Sequence, residues 1–403
     1  MPIYKTHYDL SSPEYIRNTE QILIDLIRSE HRIIEATLHG KPVYIVTDMA
    51  LAKQIFEDGK NFSFTASRLT GGGALTEGAK AFVTKGLESP LLASSYDEYT
   101  GTRSLFNQAF KHCVTDRAES LRAAARAHIA TLLDAARGPE VDMLALCRNY
   151  WMPLAANVIG LGALSAEEIN TIAENARTLV EANGLHNKPD SIAALAAANT
   201  LIIEAVHNVI DANSAPATSA IGYLLSQVET QKTVDLTLSF ILGGIDTGST
   251  ALALQTYLLA INPEQRARFA AMGGDDQMLA ITELASKAAP AYYTPRFAIR
   301  DVIISDVMIP EGSFLHIPLY GLNTCANSDF NVSRHQTAAC PHKNDVIPFG
   351  HARHRCPGEL LARYLIPIYL KELFERYPNM EVVRYERETK HFSRSVSRFT
   401  IRI

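Results

Sequence analysis

The sequence predicts a mainly helical α+β protein, read as one domain over residues 1–403 with small peripheral sheets. Three observations point there. An apolar stretch at about 233–261 is far too long for a strand and ends at Asn262-Pro263, a helix stop. The span from Asp97 to about Asn213 is rich in Ala and Leu with helical patterning, whereas strand-like runs are short and lie towards the two ends. No internal repeat and no linker divides the chain.

Hydrophobic residues at 47% and charged residues at 20% exclude a disordered chain. A formal net charge of -5 leaves no basic excess for nucleic acid. The segment Met1-Pro2-Ile3-Tyr4-Lys5-Thr6-His7 has no apolar run resembling a signal or anchor, so a cytoplasmic protein without a membrane anchor is expected. Five cysteines, an odd number with no C-x-x-C pair, read as reduced thiols rather than a disulfide framework.

Taken in order, Pro42-Val43-Tyr44-Ile45-Val46 is a short strand, and Thr47-Asp48 caps a helix from Met49 to Phe56. Residues 65–85 hold Gly71-Gly72-Gly73 and few large apolar residues, the composition of a long loop or lid. The helical span 97–213 is expected to break at Pro139, at Pro153 and around Asn187-Lys188-Pro189-Asp190. The central helix carries one ionised group from Leu236 to Ile261, Asp246, and its Gly, Ser and Thr content suits a buried core helix better than a membrane span. A helix from Gln277 stops before Pro290, and strands are expected at Arg296–Ile304 and Phe314–Tyr320 about a turn at Pro310-Glu311-Gly312. Residues 323–348 read as irregular, a last helix runs from Gly358 to Tyr377-Pro378 with a kink expected at Pro367, and the tail alternates like strands.

The chemistry concentrates in residues 349–358, Phe349-Gly350-His351-Ala352-Arg353-His354-Arg355-Cys356-Pro357-Gly358. Cys356 stands on a glycine-flanked loop ahead of a helix, where amide donors and arginines favour a thiolate. With Cys340, His342, His351 and His354 nearby, a zinc site is an alternative, although the spacing fits no standard zinc module.

The run Phe349-Gly350, then His354-x-Cys356-x-Gly358, resembles the haem-binding loop of the cytochrome P-450 superfamily. Gly243-Gly244-Ile245-Asp246-Thr247 is similar to that family's oxygen-binding turn, with Tyr99…Arg103 and Thr294-Pro295-Arg296 matching further positions. The resemblance implies the family's fold and a haem b, iron protoporphyrin IX, held by Cys356 as metal ligand. It places Phe349 over the sulfur, Gly350 and Gly358 where backbone nears the ring, and Tyr99, Arg103, Arg296 and His354 on the propionates. Gly243 and Gly244 would open the helix beside Asp246 and Thr247, the proton-delivering pair. Phe64, Arg68, Leu75, Tyr292, Tyr293 and Val396 are the implied substrate contacts.

Besides Tyr99, which stands where a histidine is usual, and Pro367 in the last helix, two positions depart from the family. Glu283-Leu284-Ala285-Ser286 has Ser286 where an arginine is usual, and Asp329 stands in place of a second arginine before Phe330. A buried Glu283 is then expected to find donors in Ser286, backbone amides, Lys287, Arg334 or His335. The implied function is a monooxygenase inserting one oxygen atom of O2 into a small organic metabolite, in secondary metabolism. Electrons from NAD(P)H would arrive through a separate ferredoxin and ferredoxin reductase, met by Lys111, Arg353, Arg355 and Arg363. A substrate-carrying protein is a further partner compatible with this reading. The alternative is a non-catalytic or peroxide-using haem protein, which the two missing arginines favour.

Overall fold

The computed structural model describes residues 3–64, 81, 85, 87, 89–93, 96–136, 138–182, 191–327, 329–336 and 345–403. Its axis is the helix Thr230–Ala260, whose 31 residues span about 45 Å. Two-thirds of the most apolar window of this helix is buried, as a core helix requires. A second helix, Ile192–Asp211, is also long and apolar enough to cross a membrane by length and composition, and is less buried.

Around the long helix pack Met143–Ile159, Ala166–Glu181 and Ile192–Asp211. The span expected to be helical also contains Tyr96–Phe110, a π-helical turn at Lys111–Thr115, and Ala118–Ala135. Pro153 does not break its helix, contrary to expectation. The carbonyl of Asn149, which a proline four residues on cannot serve, accepts instead from Nε2 of His128 at 2.8 Å. Pro367 likewise lies inside the continuous helix Glu359–Arg376. The expected break at 187–190 lies outside the described residues.

The main sheet has six strands. They are β1 (Tyr4–Asp9), β2 (Ile33–Leu38), β3 (Lys41–Val46), β4 (Phe62–Ser63), and, after the short β5 (Glu140–Asp142) of another sheet, β6 (Thr294–Ala298) and β9 (Phe314–Ile317). Their order is β1-β2-β3-β9-β6-β4, with β1–β2 and β3–β9 parallel. Asp48 caps helix Met49–Glu57 by accepting the Leu51 amide at 2.7 Å.

The strand expected over 296–304 is two. The charged pair Arg300-Asp301 separates β6 from β7 (Val302–Ile304), which pairs with β8 (Val307–Ile309) in its own hairpin. The strand expected to reach Tyr320 ends at Ile317, because Pro318 cannot donate to the ladder and starts the helix Leu319–Ala326. The tail pairs β10 (Glu381–Arg387) with β11 (Val396–Arg402), and β5 joins β11. Tyr257 of the long helix stacks on Tyr385 with ring centres 3.5 Å apart, joining this sheet to the core.

Candidate functional site: the cysteine loop and the long helix

The cysteine loop is closed by two backbone bonds, Gly350 N to Ile347 O at 2.9 Å and Cys356 N to Phe349 O at 2.7 Å. Gly350 sits at φ +76°, which disfavours any side chain there. Cys356 is solvent-accessible, yet protein surrounds it on its other sides, and that burial pushes its thiol up. The amides of Gly358 and Glu359, which donate to the sulfur, oppose that shift, as does the charge of Arg103. This donor set suits a thiolate ligand once a metal offsets the desolvation.

Behind the cysteine, Glu359 is clamped by Arg355 at 2.6 and 2.8 Å and by Arg363 at 2.8 and 3.0 Å. Burial alone would raise the Glu359 carboxyl, but these arginines hold it below the ordinary range. Arg363 also donates to the Met278 carbonyl and Thr282 hydroxyl, and its guanidinium lies 5.5 Å from the centre of the Phe349 ring. Lys111 pairs with Asp116 at 2.7 Å.

Tyr99 and Arg103, one helical turn apart, reach the same loop. The Tyr99 hydroxyl donates to Arg353 O at 2.7 Å and Arg103 Nη2 to Arg355 O at 2.6 Å. Arg353 returns a bond to the Thr100 hydroxyl at 3.0 Å. The His354 ring packs against Tyr99 and Phe64, at 4.5 and 5.5 Å between centres.

Arg296 is 2% exposed and donates only to uncharged oxygens, Pro295 O at 2.7 Å and, weakly, Thr294 Oγ1 at 3.4 Å. Its guanidinium lies over the rings of Phe56 and Phe64, 4.5 and 5.0 Å from their centres. Burial lowers it to about 9. No carboxylate pairs with it among the described residues, so a buried cation here fits an anionic group such as a haem propionate.

On the long helix, Cβ atoms added at Gly243 and Gly244 would meet nothing within 4 Å, so this face is open. The Thr247 hydroxyl donates to the Gly243 carbonyl one turn back, leaving its lone pairs free to accept. Asp246 is 8% exposed. It is held by Arg177 of helix Ala166–Glu181 through two bonds, Nε to Oδ2 at 2.9 Å and Nη2 to Oδ1 at 2.5 Å. Asp246 and Thr247 thus share one turn but not one set of partners. Arg177 escaped sequence reading because an arginine in an amphipathic helix 69 positions away carries no local sign of its partner.

A cleft beside this turn is lined by Arg177, Glu181, Leu242, Thr247, Ala291 and Phe392, among others. Glu181 is turned into the β10–β11 connection, accepting from the Ser393 hydroxyl and its amide, the latter at 3.1 Å. Tyr292 and Tyr293 follow Ala291 on β6's approach to the sheet. They are buried in an aromatic cluster with Phe314 and Tyr320, and Pro290 and Ala291 take the cleft wall there. Val396 is buried in the main core. Arg68 and Leu75, and Cys340 and His342 of the zinc alternative, lie outside the described residues.

Glu283 is fully buried and has acquired partners. The Asn331 amide donates to Oε1 at 3.1 Å, while Arg334 Nε and His335 Nε2 stand 3.2 and 3.3 Å from Oε2. Those two contacts are close enough for ion pairing but are not aligned as hydrogen bonds. Arg334 bridges to Asp329 at 2.6 Å. Two expected donors act elsewhere. The Ser286 hydroxyl donates to the Glu283 backbone carbonyl at 2.8 Å, and Lys287 donates to the Thr324 and Asn327 carbonyls.

No family model matches the chain. It is 24% identical over 360 residues, 85% of this chain and 84% of the relative, to a mycinamicin IV hydroxylase/epoxidase of Micromonospora griseorubida. Among solved structures, epothilone D-bound cytochrome P450epoK superposes with TM-score 0.82 at 19% identity, covering 98% of this chain and 99% of that one. P450BioI, in complex with an acyl carrier protein ligated to hexadec-9-enoic acid, gives TM-score 0.81 at 18% identity over 97% and 100%. With the cysteine loop and the glycine–acid–alcohol turn standing where the resemblance implies, the chain has the cytochrome P-450 fold.

Proposed function

We propose that the chain is a haem-thiolate monooxygenase acting on a small, largely apolar metabolite. The observation that carries this reading is the site's pair of ends. An accessible cysteine thiol receives two helix-end amides, and a buried arginine lacks any carboxylate among the described residues. Those are the partners that a haem b needs for its iron and for a propionate. Cys356 would hold the iron, while Arg296, Arg103, Tyr99 and His354 would take the propionates. When bound, the haem supplies the activation of O2.

The chain's own residues do the rest. Thr247, its proton committed to Gly243 O, presents an acceptor at the open face and can hold a water there. Asp246 can exchange protons with that water only when Arg177 loosens its two-bond grip. The charged groups along the cleft are engaged, Arg177 with Asp246 and Glu181 with Ser393. Besides the Thr247 and Thr250 hydroxyls, what remains for a ligand is apolar, from Val180, Leu242, Pro290, Ala291 and Phe392. That supports an apolar substrate body.

Electrons from NAD(P)H would come through a separate ferredoxin and its reductase. Glu359 already engages Arg355 and Arg363, and Asp116 engages Lys111, so a docking partner would meet cations whose charge is partly offset by neighbouring carboxylates. The relative named as a mycinamicin IV hydroxylase/epoxidase supports a role in secondary metabolism, and the carrier-protein complex of P450BioI supports a carrier-bound substrate as one form of presentation.

The test is spectroscopic and then functional. Reduced protein with CO should give the red-shifted thiolate band, and Cys356→Ser should lose it while keeping its helical circular dichroism. A surviving band would remove Cys356 as the ligand. With surrogate ferredoxin, reductase and NADPH, O2 consumption should depend on a compound that shifts the Soret band.

A further inference from the structure

We infer that Trp151 is a positioning residue for the Asp246–Thr247 turn, an inference that rests on the monooxygenase reading. Trp151, the chain's one tryptophan, lies on helix Met143–Ile159 and is 3% exposed. Its indole Nε1 donates to the Gly244 carbonyl at 2.8 Å. A helix carbonyl ordinarily serves only the amide four residues on. Here two consecutive carbonyls each receive a side-chain donor, Gly243 from Thr247 and Gly244 from Trp151. They sit immediately before the acid–alcohol pair.

The long helix is shaped for this contact. A Cβ at Gly248 would lie 1.9–2.3 Å from three indole ring atoms, so glycine is required for the ring to reach the helix. An interior glycine costs a helix about 1 kcal/mol relative to alanine. A buried indole needs an acceptor, but a loop carbonyl or a side chain would serve. This indole instead takes the carbonyl of the second open glycine, two residues before Asp246. Drawing that carbonyl towards Trp151 fixes the rotation of the peptide between Gly244 and Ile245, and with it the direction in which Asp246 and Thr247 leave the helix.

The test removes the N–H while keeping an aromatic ring. Trp151→Phe is one form. Replacing the single tryptophan by benzothienylalanine, which has sulfur in place of N–H, is the second form and preserves the packing if Phe disturbs the fold. Both should retain the reduced-CO thiolate band and the Soret shift with substrate, yet raise hydrogen peroxide per NADPH by roughly fivefold, within the range for residues sharing one network. Combined with Thr247→Ala, either change should add little, because both act on one turn. Unchanged peroxide yield, or effects that multiply independently, would overturn the proposal.

A second readout needs no turnover. The 15N-labelled protein should show one slowly exchanging indole resonance, and Thr247→Ala should shift it, in haem-free protein as well. An indole proton that exchanges at once, or that ignores Thr247→Ala, would also overturn it. Loss of the thiolate band from the wild-type protein would instead defeat the monooxygenase reading, so the two failures are distinct.

Discussion

Thr247 and Asp246 adjoin in sequence yet answer to different neighbours. The hydroxyl is oriented within its own helix, whereas the carboxylate is held from helix Ala166–Glu181. Thr247→Ala should therefore leave the Arg177–Asp246 pair and the apolar cleft wall in place, so substrate-induced Soret shifts persist. What it removes is the acceptor that orders water at the open face. Electrons should then appear as hydrogen peroxide, with product per NADPH falling about tenfold or more, the usual scale of a lost proton-delivery group. Product yield unchanged from wild type would show that the hydroxyl has no such role.

Among the elements, helix Gly274–Lys287 and the segment 329–336 show how the chain manages without its two arginines. Arg334 stands five residues beyond Asp329 and bonds it while approaching Glu283, so the cation is supplied from a new position and the acid at 329 helps to hold it. Arg334→Ala would leave a fully buried carboxylate with only the Asn331 amide and His335 beside it and should cost about 3 kcal/mol, read from chemical denaturation of the haem-loaded protein. Ser286→Arg should not restore anything. Ser286 is fully buried with its hydroxyl engaged, and a long side chain there should destabilise by about 1–3 kcal/mol. A gain in haem occupancy from Ser286→Arg alone would show the rebuilt network to be merely a damaged one. The sequence named Glu283 and its candidate donors because a buried acid between missing partners is a local anomaly. It did not distinguish among them, since Ser286 and Lys287 share the helix with Glu283 but point to backbone carbonyls. Helix and strand positions were legible where periodicity and proline stops are local, as at Asn262-Pro263. They were misread at Pro153, where a histidine from another helix compensates the break.

Across the whole molecule, Arg296 links folding to cofactor binding. The residue was legible from its motif, but its lack of a carboxylate among the described residues was not, because that depends on the six-stranded sheet that buries it beside Phe56 and Phe64. Without an anion, such a cation lowers stability by on the order of a few kcal/mol. Arg296→Met should therefore raise the melting temperature of the haem-free protein while weakening haem retention, two effects of opposite sign from one substitution. The pH dependence follows from the lowering of the guanidinium to about 9 from its much higher ordinary value. Between those values the unfolded chain keeps a proton that the haem-free folded chain releases, so folding gains stability as pH rises through that window. Arg296→Met lacks this gain, and its advantage over wild type should shrink as pH passes about 9. In the haem-loaded protein a propionate would keep the guanidinium charged, and the wild-type gain should disappear. Melting curves of both proteins with and without haem, taken from pH 7 upward, check all of this. An Arg296→Met protein that is less stable without haem, by a margin that does not vary with pH, would show that Arg296 serves the packing of the sheet and not an anion.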